Sequence, residues 1–183
     1  SISVLAYLSS PLFQQRMESV YDEIHYYVTS DKPEIALSEV KTHEDYLSVG
    51  AQNSSMGYRI TFLVNTAELI KKSPILGVGT GDFPDEYEKI NFIRSNYMMP
   101  TVQPHNMYML VLAQLGMLGL ASLAWIFYVQ FRIALSSSNQ FVRHVGVAMP
   151  IFFLIIMWSD SYLLGHYTGN LFILFSSFIY SNR

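Results

Sequence analysis

Near neutral pH an imidazole of ordinary pKa, about 6.5, is the side chain best suited to take up a proton. One such group stands in an unusual place. The stretch QPHNMYMLVLAQLGMLGL, starting at Gln103, sets His105 between Pro104 and Asn106 at the mouth of a long apolar run. A histidine there can act as a base, or it can cap or hydrogen-bond a helix start, and Pro104 or Asn106 can serve as the cap without it. Asp160 and His166 fall in a second short polar stretch, WSDSYLLGHYTGN, again between apolar runs. His25, His43 and His144 have no neighbours at metal-ligand spacing and read as surface residues. The glycine-rich GVGTG resembles a phosphate cradle only superficially. Such loops follow a strand and open a helix, whereas this one follows a helical stretch and lacks Gly-Lys-Ser/Thr. It reads as a turn that needs positive φ.

The charge distribution shows what positions these groups. The 183 residues are 51% hydrophobic and 14% charged, with a positive mean hydropathy. Between Ser9 and Pro104 lie eight of the eleven Lys/Arg and thirteen of the fourteen Asp/Glu, while from His105 to Asn182 only Arg132, Arg143 and Asp160 are charged. A polar segment is followed by a membrane segment. The net charge of −3 and the lack of a basic stripe exclude a nucleic-acid surface. The lack of cysteine excludes a disulfide framework, a zinc–thiolate site and a thiolate nucleophile.

A bilayer core takes about 20 apolar helical residues. The sequence predicts spans at about 106–131, 142–159 and 167–181, within residues 105–183. Pro150 lies inside the second, tolerable where a neighbouring helix satisfies the freed carbonyl. A buried helical hairpin of a soluble protein is the alternative. Residues 1–8 read as the end of another spanning helix, so the chain is expected to start inside a larger protein. The connection FRIALSSSNQFVRH carries Arg132, Arg143 and no acid, which the positive-inside rule places in the cytoplasm. Residues 9–104 then form a large extracytoplasmic loop, and His105, Asp160 and His166 share its side of the membrane.

Within that loop GYRITFLVNTAELIKK predicts an amphipathic helix with Ile60, Leu63, Val64, Ala67 and Ile70 as its apolar stripe. Lys71 and Lys72 suit its C-terminal dipole and Ser73-Pro74 stops it. FPDEYEKINFIRSN predicts a second helix, and Pro11–Val28 a third. No strand alternation stands out. The expected fold is all-α, an integral membrane helical bundle with a large, mainly helical extracytoplasmic loop. If a straight helix starts near His105, Leu112 and Gly116 lie beneath it and Gly119 beside them. Gly116 and Gly119 would then admit a close helix neighbour, while Gln114 projects from the opposite side.

Arg59, then SPILGVGTGDF, then Pro104-His105-Asn106, then nine residues and Gly116-Met-Leu-Gly119, resembles the O-antigen ligase/polymerase superfamily of membrane glycosyltransferases. The matching elements run from about Gly57 to Leu120. The resemblance implies a GT-C-like, multi-pass protein of the bacterial inner membrane with its large loop in the periplasm, of which this chain covers the C-terminal portion. A second functional arginine of the family, in an earlier periplasmic loop, has no counterpart here. The implied reaction moves a glycan from undecaprenyl diphosphate to a hydroxyl of lipid A–core, without metal or other cofactor. A polymerase or a protein O-oligosaccharyltransferase of the same superfamily is the alternative, and a non-enzymatic channel or transporter the alternative of another class. On this reading His105 is the base. Arg59, whose planar fork suits phosphate, holds the diphosphate. Asn106 and Arg94 are further substrate contacts, although Arg94 can equally pair with Glu86 or Asp85. Asp160 and His166 stand behind His105 to orient it, or are interfacial residues in contact with water.

Overall fold

In the computed structural model the described residues are 10–15, 17, 18, 21, 55–95 and 98–181. The segment 1–8, most of 29–55, and His25 and His43 lie outside them. Contacts divide the chain into two compact units, Ser1–Thr61 with Ser95–Met99, and Phe62–Arg94 with Pro100–Arg183. In the first unit, residues 11–15, 17, 18 and 21 are helical, with the Gln14 amide donating to the Ser10 carbonyl at 3.0 Å. No strand occurs among the described residues.

The ordered elements are α1 (Ser55–Lys72), α2 (Phe83–Arg94), α3 (Met107–Ser136), α4 (Gln140–Ile156), a 3-10 turn at Tyr162–Leu164, and α5 (His166–Tyr180). Helix α1 begins in the first unit and continues into the second. Its apolar stripe is not its buried face: Ile60, Leu63, Val64, Ala67 and Ile70 are half-exposed, while Thr61, Phe62, Asn65, Thr66 and Leu69 are buried. Hydrogen bonding makes this possible at Asn65 and at Thr66, whose hydroxyl donates to the Phe62 carbonyl at 2.6 Å, since a buried polar group costs little once partnered. The Asn65 amide donates to the Tyr87 hydroxyl at 3.3 Å and to Asn91 Oδ1 at 3.4 Å. Both partners sit on the buried face of α2, with Phe83 and Ile90.

Helix α3 is two helices. Gly116 interrupts it at φ 63, ψ −160, so the straight helix expected to run below His105 ends there. The break leaves the Ala113 and Gln114 carbonyls and the Met117 and Leu118 amides without intrahelical partners. The turn after α1 supplies all four. Val78 and Gly79 donate to Ala113 and Gln114 at 2.8 and 3.0 Å, and Pro74 and Ile75 accept from Met117 and Leu118 at 2.9 and 3.3 Å. Glycine is needed on both sides of this backbone clasp. A Cβ on Gly77 would fall inside 3.0 Å of the Gln114 carbonyl group, and one on Gly116 inside 3.0 Å of that of Ile75. The GVGTG turn does use positive φ, at Gly77, Gly79 and Gly81. Gly119 has another reason: the break carries the Leu115 side chain into the space a Cβ there would fill.

Beyond the break, Met117–Ser136 is about 20 residues and roughly 30 Å of helix, one bilayer core. Among the described residues α3 is the helix long and apolar enough to cross a membrane, and α4 is apolar but shorter. The first apolar helix runs past Arg132 to Ser136, and Ser137–Asn139 ends it; the Asn139 side chain then accepts from the Phe141 and Val142 amides to start α4. Helix α4 stops at Ile156, earlier than 159, because Trp158 and Ser159 tighten into i→i+3 bonds on Ile155 and Ile156. Pro150 frees the Gly146 carbonyl, and the Tyr180 hydroxyl of α5 takes it at 2.7 Å. Phe153 and Phe127 close on Phe172 at 4.9 and 5.7 Å, and Gln130 donates to Ser176 at 3.0 Å. These contacts bind α3, α4 and α5 together.

Candidate functional site

The start of α3 and the end of α4 are tied by main chain and side chain together. Asn106 is the N-cap of α3: its Oδ1 accepts from the Met109 amide at 3.1 Å. Its Nδ2 donates across to the Trp158 carbonyl at 3.0 Å. Beside it the Met107 amide donates to the Met157 carbonyl at 2.9 Å, and the Tyr108 hydroxyl to Leu154 at 2.7 Å. One of these three cross-bonds engages the Leu154 carbonyl in the last turn of α4, and the other two engage Met157 and Trp158 just beyond its end. A rigid corner results, with residues 105 and 160 on its rim.

His105 is the one non-glycine residue with positive φ among those described, at 52°. Such a conformation is uncommon outside glycine, although histidine takes it more readily than most residues. Its Nδ1 lies 3.1 Å from Asp160 Oδ1, and the two side chains are 32% and 33% exposed. The same Oδ1 accepts from the Ser161 amide at 2.7 Å, which fixes the carboxylate. A carboxylate accepts only, so it favours the tautomer with the proton on Nδ1 and leaves the Nε2 lone pair free. The ring face lies against Phe62, centroids 6.0 Å apart at 26°. A partly exposed, oriented imidazole with a free Nε2 is equipped to take a proton from a hydroxyl.

The other predicted residues are placed as follows. His166 is exposed at the start of α5, and no hydrogen bond, ion pair or ring contact links it to His105 or Asp160. Arg94 ends α2 and pairs with Glu68 at 3.6 Å, not with Glu86 or Asp85. Glu68 also accepts from Lys71 at 3.0 Å. That hydrogen bond holds its carboxyl below the ordinary value, against desolvation and with help from the Lys71 and Arg94 charges. Arg59 is an exposed residue of α1 within the first unit. Gly116 meets the turn after α1, and Gly119 its own helix. Among the described residues no three His, Asp or Glu side chains gather to hold a metal. Sequence reasoning missed Phe62, which lies off the apolar stripe of α1, and the left-handed backbone of His105, for which the only local signals are a preceding proline and a following cap residue.

Among the described residues, helices without strands, one helix long and apolar enough to cross a membrane, a polar helical segment and a His–Asp pair at a helix–helix corner define a helical protein with a candidate proton-transfer centre. Comparison with protein-family models matches residues 1–124 to the O-antigen ligase family. This is well over half of the 183 residues, and the chain belongs to that family, whose members are inner-membrane enzymes of ligase or polymerase type that take part in lipopolysaccharide assembly. No curated protein and no solved structure gives a match.

Proposed function

We propose that this chain is the acceptor-activating part of an O-antigen ligase, which transfers a glycan from undecaprenyl diphosphate to a hydroxyl of lipid A–core at the periplasmic face. The observation that carries the reading is the 3.1 Å contact between His105 Nδ1 and Asp160 Oδ1. In the proposed reaction Nε2 of His105 takes the proton of the acceptor hydroxyl. The oxygen then forms a bond to the anomeric carbon, and the bond from that carbon to the diphosphate oxygen breaks. Undecaprenyl diphosphate leaves with the electron pair. Asp160 keeps the Nδ1 proton in place and stabilises the imidazolium that forms. General-base assistance is worth about 10²–10⁴-fold, or about 3–5 kcal/mol of barrier. The diphosphate is already a good leaving group, so the proposed mechanism calls on no metal ion. Arg59 is proposed to offset its charge, on the strength of the sequence resemblance, with a fork that can meet two oxygens at once. Asn106 is occupied on both sides of its amide, so its part is to hold the corner rather than to bind substrate. Arg94 is left to Glu68, and His166 has no part in the proton transfer.

The test is transfer by the full-length protein in proteoliposomes, with a defined undecaprenyl diphosphate-linked glycan and either lipid A–core or a lipid-linked repeat unit as acceptor. Glycan on lipid A–core is the expected product. Lengthening of the repeat unit instead would make the protein a polymerase. No product with either acceptor would refute the reading.

A further inference from the structure

One hydrogen bond cannot fix an imidazole. With Nδ1 held by Asp160, the ring of His105 is still free to swing about that line and sweep Nε2 through an arc. The backbone corner fixes where the side chain starts but not how its ring turns, and the side chain is only partly buried. What stops the swing is a wall on the ring's face.

Phe62 is that wall. Its ring lies nearly parallel to the imidazole, at 26° with centroids 6.0 Å apart, and it is itself packed in. It is 9% exposed and meets Tyr87 edge-on, at 6.3 Å and 76°. Tyr87 is fully buried, stacks on Phe83 at 5.5 Å and accepts the Asn65 amide through its hydroxyl. Phe62 also has a place on α1 that a core residue of a plain amphipathic helix would not take, on the polar face beside Thr61, Asn65 and Thr66. The row Asp160, His105, Phe62, Tyr87 thus joins the end of α4 to the α1–α2 pair, with the imidazole in its middle.

We infer that Phe62 is a positioning residue for His105: it fixes the plane of the ring while Asp160 fixes its edge, and only both together aim Nε2. The inference rests on His105 being the base. A misplacement of about 1 Å at a reacting group can cost up to 10²-fold in rate, so the loss of one of two restraints is expected to cost on the order of tenfold.

The experiment compares the full-length protein with its Phe62→Leu, Phe62→Tyr and His105→Ala variants, all in proteoliposomes. The readouts are kcat and KM for the lipid-linked donor, and the rate at which His105 is carbethoxylated by diethyl pyrocarbonate, followed by mass spectrometry and so independent of transfer. Melting temperature and membrane content check that each variant folds. Phe62→Leu should lower kcat by on the order of tenfold with KM unchanged, and should raise the His105 modification rate several-fold. Phe62→Tyr, which keeps the ring, should restore both to near wild type. An unchanged kcat in Phe62→Leu, a loss confined to KM, an unaltered modification rate, or a Tyr variant as poor as the Leu variant would each overturn the inference. Full transfer by His105→Ala is a different failure: it would remove the base itself and the inference with it.

Discussion

Replacing Gly116 with alanine puts a methyl carbon inside 3.0 Å of the Ile75 carbonyl. It also asks an L-residue to hold φ 63, ψ −160, a region essentially reserved to glycine that costs about 1–3 kcal/mol elsewhere. Neither partner is the tip of a flexible side chain, so the strain is not relieved locally and the clasp must open. Four hydrogen bonds join the turn after α1 to the break in α3. At about 1 kcal/mol each their loss amounts to about 4 kcal/mol, or about a thousandfold in the closed-to-open ratio. Hydrogen–deuterium exchange by mass spectrometry, on the full-length protein in nanodiscs, reads this directly in peptides covering residues 74–79 and 113–118. In Gly116→Ala their protection should fall by about three orders of magnitude. Gly81→Ala is the control. Its φ of 97 makes it strained too, but no atom lies within 4 Å of its added carbon, so the clasp should keep its protection. Wild-type exchange rates in Gly116→Ala would refute the claim that these bonds carry the turn.

Two further outcomes follow from single hydrogen bonds. Tyr180→Phe leaves the Gly146 carbonyl, freed by Pro150, without the donor it has now, and should lower thermal stability by about 1–3 kcal/mol; Pro150→Ala in the same protein should restore it, because alanine's own amide reaches that carbonyl. Glu68 has a carboxyl pKa held below its ordinary 4.5 by Lys71. A carboxyl depressed in the folded state contributes stability that is present above the unfolded value and lost as pH falls through the folded one. Melting curves taken from neutral to strongly acidic pH should therefore decline less steeply in Glu68→Gln than in the wild type, and identical slopes would contradict the assignment.

The parts of the molecule legible in sequence are those set by covalent geometry and by charge. Pro150 cannot donate, so a partner for its freed carbonyl had to exist; only its identity, Tyr180, needed coordinates. An Arg-bearing connection between two apolar runs is enough to bring residues 105 and 160 to one end of a hairpin, and they are in contact there. Glycines in a turn that follows a helix ask for positive φ, and three of them have it. What escaped was non-local. Extrapolating one straight helix from His105 gives no hint that a turn some forty residues upstream replaces four of its main-chain bonds at Gly116. The apolar stripe of α1 likewise misled, because Asn65 finds Tyr87 and Asn91 on another helix and turns a polar face inward. Phe62 was invisible for that same reason, although it touches the group that matters most.

In the proposed reaction Asp160 serves transfer only through His105. The most direct measurement is a double-mutant cycle on transfer to lipid A–core by the full-length protein. His105→Ala should cost about 10²–10⁴-fold, and Asp160→Asn alone about 10–100-fold, the range found for carboxylates that orient a metal-bound histidine. In the His105→Ala background Asp160→Asn should cost nothing more. An equal loss from Asp160→Asn with and without the imidazole, or undiminished transfer by His105→Ala, would contradict the account.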